Sequence, residues 1–285
     1  MSRSIDIWGN NPLRLNIEEE KTLIHRLSSY FHTSISYIEW INKGRSGAQI
    51  FIFEVNNQKK IIKLQTKKRC IREKAGYFHL SRKKVPMIRI GGIRRQYEIY
   101  GLILDFHEGK EIDRLDSEEQ HILICSKFND FFAGEEVYSD IRGKKKIIKF
   151  CINKERKFDR LNFPLVEREK FKTARKHLLC NYSCFVKVHG DPSLKNIIIN
   201  QGVPQIIDYG NFSVLPLETQ KARFLNSLLL RKKSISCEIC EKDLLQPVII
   251  YYQICDLIRR IESDFYDVER VKEEYQLCKE LLKKI

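Results

Sequence analysis

Residues 186–210, Val-Lys-Val-His-Gly-Asp-Pro-Ser-Leu-Lys-Asn-Ile-Ile-Ile-Asn-Gln-Gly-Val-Pro-Gln-Ile-Ile-Asp-Tyr-Gly, constrain this chain more than any other stretch. Ile197 to Ile199 read as a short strand, Gly202 and Pro204 permit a turn, and Gln205 to Ile207 read as a returning strand that delivers Asp208. Asp191 and Asn196 stand five apart on the loop that leads in. A hairpin of this kind brings Asp191, Asn196 and Asp208 to one end of its strands. Those are the residue types that phosphoryl transfer needs. A carboxylate accepts or orients an acceptor hydroxyl, and an amide with a second carboxylate supplies hard oxygen ligands for Mg²⁺.

The string His189-Gly190-Asp191, with Asn196 five residues later and Ile207-Asp208-Tyr209-Gly210 beyond, resembles the catalytic and metal motifs of the aminoglycoside phosphotransferase and choline kinase family. That family is distantly related to protein kinases. The resemblance implies a catalytic carboxylate at Asp191 and Mg²⁺ ligands at Asn196 and Asp208, with His189 bracing the loop. It implies a two-lobed, protein-kinase-like α+β fold. A small, mostly antiparallel β lobe over residues 1–106 would bind nucleotide, and a larger helical lobe over 107–285 would hold the catalytic loop and acceptor site. The implied reaction moves the γ-phosphate of ATP, with GTP an alternative donor, to a hydroxyl of an aminoglycoside-, choline- or sugar-like small molecule.

Ahead of the hairpin, Leu23, Ile24, Leu27, Tyr30 and Phe31 recur at helical spacing over 17–31, with Asn16 placed as a cap and Glu18 to Glu20 in the first turn, where negative charge suits the helix dipole. Ser36 to Ile41, Ala48 to Val55 and Lys60 to Leu64 read as three strands, joined by Gly44-Arg45-Ser46-Gly47 and by Asn56-Asn57. Gly44, Ser46 and Gly47 would let backbone N–H groups approach a triphosphate closely, although the same pattern is also an ordinary hairpin turn. Ile61-Ile62-Lys63-Leu64 resembles the kinase strand that carries the phosphate-pairing lysine, which makes Lys63 the candidate and leaves Lys59 and Lys60 as rivals. A helix is expected over 67–82, and the resemblance places Glu73 where the family keeps the glutamate that orients this lysine. A surface glutamate in a charged helix is the plainer alternative. Pro86 stops the helix, and strands at 88–91 and 97–106 complete a five-stranded sheet. Tyr100 to Gly109 resembles the connection between lobes, so backbone groups of 105–107, from Asp105 to His107, are expected at the adenine edge.

Farther on, Ser117-x-x-Gln120 signals a helix to about 132, and Ile147, Ile148 and Phe150 fit strand or helix equally. Helices are expected over 166–179, 218–230, 247–262 and 267–284. Where aminoglycoside kinases commonly carry a further acidic helix motif, Glu218-Thr219-Gln220-Lys221-Ala222-Arg223-Phe224-Leu225 stands instead. That departure puts an antibiotic acceptor in question and leaves the phosphoryl chemistry untouched. Cys237-Glu238-Ile239-Cys240 supplies two thiolates where a structural zinc needs four ligands; Cys180 and Cys184 could in principle complete the set, but their spacing is also that of one helical face. Cysteine is equally at home as a small buried hydrophobe.

The net charge of +15 is unevenly spread, with 20 Lys and Arg against 8 Asp and Glu over residues 1–104 and 32 against 29 over the remainder. Such an excess fits a solvated lysine-rich surface, or contact with a polyanion. The runs are short and form no nucleic-acid motif, so nucleic acid is possible but not favoured as a partner. Residues 238–285 hold 11 acidic against 8 basic residues, which leaves an acidic acceptor pocket open. No apolar run approaches the ~18 residues of a membrane span, and the first residues lack the pattern of a signal peptide. Nine scattered cysteines fit reduced thiols in a cytoplasm. Two rivals remain: a kinase acting on RNA or a phosphorylated glycan, and a regulatory module that binds nucleotide without turnover. The presence of Lys63, Glu73, Asp191, Asn196 and Asp208 together argues against the second.

Overall fold

The chain divides into two units, Met1–Glu108 and Gly109–Ile285. The structure is a computed structural model and describes residues 15, 17–35, 38–41, 48–94, 97–111, 136–138, 141–161, 163–180, 185–231, 246–263 and 268–284.

In the first unit, helix α1 (Ile17–Phe31) buries Leu23 and Leu27 on the stripe that its apolar spacing predicts. Strands β1 (Ile38–Ile41), β2 (Gln49–Val55), β3 (Gln58–Thr66), β4 (Met87–Arg94) and β5 (Tyr97–Asp105) form one sheet in the order β1-β2-β3-β5-β4, every pair antiparallel. Asn56 and Asn57 both take positive φ, +51° and +58°, in the tight turn from β2 to β3, a conformation that asparagine tolerates better than most residues. Helix α2 (Lys67–Leu80) begins directly after β3, capped by the Thr66 side chain accepting from the Arg69 N–H.

Alternation along β3 separates two environments. Ile62 and Leu64 join Phe51, Phe53, Leu23 and Leu27 in one core. Lys63 and Gln65 share the opposite face with their cross-strand partners Leu102 and Tyr100, which pack with Cys70 of α2. On the first face β5 passes so close that a Cβ at Gly101 would lie 2.4 Å from Ile62 Cδ1.

The second unit is mostly helical. It contains β6 (Lys110–Glu111), β7 (Glu136–Tyr138), α3 (Ile141–Phe158), α4 (Leu165–Cys180), β8 (Phe185–Val188), β9 (Ile197–Asn200), β10 (Val203–Ile206), β11 (Ser213–Pro216), α5 (Glu218–Leu229), α6 (Pro247–Ser263) and α7 (Val268–Lys283). Residues 147–150, ambiguous in sequence, lie in α3, where Ile147 and Cys151 face the core at helical spacing. Buried on almost every side, α6 packs against α3, α4, α5 and α7. Phe158 stacks on Phe163, and Phe171 on Tyr251, in the middle of this core.

Two small antiparallel sheets, β10-β9-β6 and β11-β8-β7, each draw strands from both sides of the 189–196 loop in sequence. The strands β8 and β11, which hold the ends of that segment, have no counterpart in the sequence reading. The expected helix over 117–132, the Gly44 to Gly47 turn and the Cys237–Cys240 pair lie outside the described residues. Among the described residues, Cys70, Cys151, Cys255 and Cys278 are buried free thiols, and no helix is long and apolar enough to cross a membrane.

Candidate active site

In the first unit Lys63 is 4% exposed and Glu73 fully buried. The Lys63 ammonium lies 3.1 Å from both Glu73 carboxylate oxygens. Gln65 Nε2, on the same strand face, donates to Glu73 Oε2 at 2.9 Å. The local sequence dictates this meeting: β3 runs into α2 with no intervening loop, and two helical turns carry Glu73 back over the strand face that Lys63 and Gln65 share. Lys60 points to the other face and pairs with Asp105, its cross-strand neighbour, at 2.7 Å. Of the three rival lysines, only Lys63 is held by a buried carboxylate. Lys59 lies 4.0 Å from the exposed Glu108 and over the Phe106 ring.

Asp105 ends β5, and the Phe106 N–H reaches the Lys59 carbonyl at 3.4 Å. A hydrogen bond from Lys60 holds the Asp105 carboxyl below its usual range. Burial, with Lys83 adding to it, lowers the pKa of His107.

In the second unit the 189–196 loop is shaped by main-chain contacts. His189 is 1% exposed; its Nδ1 accepts from the Asp191 N–H at 3.2 Å, so Nε2 carries the proton and donates to the Ile207 carbonyl at 2.9 Å. The imidazole thus ties the start of the loop to the end of the hairpin. Gly190 has φ +83°, and a Cβ there would lie 2.0 Å from the Asn211 carbonyl oxygen, so no other residue fits. Asn196 donates from Nδ2 to the Asp191 carbonyl at 2.8 Å, and its own carbonyl accepts from the Ile207 N–H at 2.8 Å. With Ile197 opposite Ile206 in the β9–β10 ladder, Asp191, Asn196 and Asp208 come together at one end of the hairpin.

Asp208 sits in the left-handed region, φ 61° and ψ 67°, and its Oδ1 accepts from the Gly210 N–H at 3.3 Å. A non-glycine residue held there stores strain, and such strain clusters at functional sites. The amide of Asn196 uses its nitrogen on the loop, which leaves its oxygen as the atom of choice for a hard cation. An amide oxygen and the Asp208 carboxylate suit Mg²⁺, which takes few protein ligands and completes its shell with phosphate and water. Among the described residues no three His, Cys, Asp or Glu side chains gather as a metal cage.

Helix α5 supports the loop from below. Gln220 Oε1 accepts from the Gly190 N–H at 3.0 Å, and Ser227 Oγ accepts from the Leu194 N–H at 3.3 Å. Sequence reasoning singled out 218–225 only as a departure from the family pattern. The sequence signal at hand was only that Gln220 and Ser227 share the helical face of Phe224 and Leu228, at i, i+4, i+7 and i+8; that they are buried there is seen in the structure.

No protein-family model and no curated protein matches the sequence. Solved structures share its fold. Aminoglycoside phosphotransferase APH(4)-Ia is similar over 93% of this chain and 99% of that one, with a TM-score of 0.67 and 10% identity. Choline kinase LicA from Streptococcus pneumoniae is similar over 94% and 100%, with a TM-score of 0.62 and 15% identity. Amicoumacin kinase hAmiN, in complex with AMP-PNP, Ca²⁺ and Ami, is similar over 87% and 88%, with a TM-score of 0.52 and 10% identity. At such identities the likeness is one of fold, and the chain has the two-lobed, protein-kinase-like α+β fold of these enzymes.

Proposed function

We propose that this chain is a phosphotransferase that moves the γ-phosphate of ATP to a hydroxyl group of a small molecule. The observation that carries the reading is the hairpin end where Asp191, Asn196 and Asp208 are gathered, with Asn196 bonded to both the loop and the returning strand. Support comes from the fold, shared with an aminoglycoside phosphotransferase whose thermostable mutant forms a ternary complex with ADP and hygromycin B.

The roles follow from the chemistry of each group. Lys63, oriented by Glu73, holds donor phosphate oxygens. Main-chain groups of 105–107 meet the base. Asn196 Oδ1 and the Asp208 carboxylate would hold Mg²⁺, which neutralises phosphate charge when bound. The Asp191 carboxylate aligns the acceptor hydroxyl and takes its proton as the acceptor oxygen bonds to the γ-phosphorus and the bond to the departing ADP breaks. Positioning and charge neutralisation supply most of the rate in such transfers.

The test pairs binding with turnover. Calorimetric titration of ATP with Mg²⁺ into Asp191→Asn is expected to match the wild type, while ADP release in the presence of a hydroxylated acceptor falls sharply. Loss of binding, with no turnover in either protein, would point to a regulatory module instead.

A further inference from the structure

Asn196 is delivered by a single 3₁₀ turn, Leu194–Asn196, whose first residue is fully buried. The turn closes one main-chain bond, from the Asn196 N–H to the Ser193 carbonyl at 2.8 Å, and supplies nothing for the Leu194 N–H. A buried main-chain donor has to be satisfied from elsewhere. By sequence the residue placed to do so is Ser193, which stands at the cap position in an extended conformation, φ −75° and ψ 155°. Its side chain makes no capping bond, and its buried Oγ finds no hydrogen-bond partner among the described residues.

Ser227 of α5, 33 residues along the chain, fills the cap instead. Its Oγ accepts from the Leu194 N–H at 3.3 Å and donates to the Phe224 carbonyl of its own helix at 2.9 Å. The second bond aims the first. With its one proton committed to α5, the hydroxyl offers the loop only lone pairs, which is what an N–H requires. Ser227 has no solvent exposure, so water does not compete for the site. Its neighbour Asn226 locks α5 to α6: Asn226 Nδ2 donates to the Gln253 carbonyl at 2.9 Å, and Asn226 Oδ1 accepts from Gln253 Nε2 at 3.2 Å, both residues being fully buried. At 3.6 residues per turn, adjacent positions point about 100° apart, so α5 turns Asn226 to α6 and Ser227 to the loop. The start of α5 is fixed as well, by Thr219 Oγ1 donating to the Pro216 carbonyl at 2.6 Å.

We propose that Ser227 is a positioning residue for the metal site: by capping the 194–196 turn from a separate helix, it fixes the main chain from which Asn196 presents its amide oxygen beside Asp208. The Asn196 side-chain nitrogen is tied to the Asp191 carbonyl and its own carbonyl to Ile207, so a turn that shifts at Leu194 carries the amide oxygen with it. Gln220, seven positions earlier on the same face, holds Gly190 and serves the Asp191 end of the loop instead. The serine inside the motif is therefore dispensable for metal binding, and the serine outside it is not. This inference rests on the phosphotransferase reading.

The experiment titrates Mn²⁺ calorimetrically into the full-length protein saturated with AMP-PNP, and measures the metal dependence of ADP release alongside. Ser227→Ala is expected to raise the half-saturating metal concentration by about tenfold, the low end for losing a group that orients a metal ligand, while turnover at saturating metal recovers toward wild type. Ser193→Ala is expected to leave the metal titration unchanged. Ser227→Cys, whose sulfur is a weak acceptor, carries the test if Ser227→Ala fails to fold. A purely structural role for Ser227 would lower the melting temperature and leave the half-saturating metal concentration where it was. That result, or an equal loss of metal affinity in Ser193→Ala, overturns the inference while the phosphotransferase reading stands. If wild type with AMP-PNP binds no Mn²⁺, that reading falls and the inference falls with it.

Discussion

In the first unit the candidate nucleotide-binding charges are buried and hold each other: Lys63 and Glu73 have almost no solvent, and Gln65 completes the pair. In the second unit Asp191 and Asp208 stay half-buried, and the main chain positions them through a left-handed Gly190, a left-handed Asp208, the His189 bridge and the Asn196 amide. The difference predicts different responses to mutation. A buried pair that loses one member leaves an uncompensated charge, so stability and function fall together. A carboxylate held by backbone geometry can lose its charge with the scaffold intact.

The largest effect tests the second half of this contrast. Asp208→Asn is expected to take Mg²⁺-dependent transfer to background while the melting temperature holds, because asparagine tolerates the left-handed conformation. Wild-type turnover in the folded variant would remove the metal site from the mechanism. Next, Asp191→Asn should lower turnover by about 10²- to 10⁴-fold, as for a lost general base, with nucleotide affinity kept. An equal loss of affinity would show that Asp191 serves the donor, and the separation of roles would fail.

The buried pair gives the third effect, and it is one of stability. Lys63→Ala takes the ammonium away from the buried Glu73 carboxylate and should cost about 3–5 kcal/mol in urea unfolding, with ATP binding weakened as well. Lys60→Ala is the internal control and the smallest effect: its partner Asp105 is 62% exposed, so the loss should stay within the about 0–1 kcal/mol of surface pairs. Its pH dependence has a definite sign. Because Lys60 lowers the Asp105 pKa below 3.8, the unfolded chain binds that proton more readily, and the pair's contribution is full above that value and fades as pH falls through the folded one. The gap in melting temperature between wild type and Lys60→Ala should therefore be wider at neutral pH than at pH ~3. If Lys60→Ala is the more damaging of the two lysine changes, the strand face assigned to Lys63 is wrong.

Much of this was legible without coordinates wherever a short period carried the signal. The helix over 17–31, the alternation that separates Lys63 from Ile62 and Leu64, the Asn56-Asn57 turn and the 197–206 hairpin each follow from local pattern. Residues 147–150 were ambiguous because three apolar residues in a stretch of four fit either period; the longer Ile147–Cys151–Phe158 spacing resolves it as a helix. The strands at 185–188 and 213–216 were missed because each is four residues long and gains its partner only across the intervening loop and hairpin.

By itself, the sequence determined which residues could do chemistry and which way they face along their own element, since period and phase are local properties of the backbone. What it left open was which distant faces meet. That Gln220 and Ser227 hold the loop, and that Arg223 of one helix joins Asp256, Arg259 and Arg260 of another, was decided only by tertiary packing. The physical reason is that a buried polar residue looks the same in sequence as an exposed one. Its partner, not its spacing, makes burial tolerable.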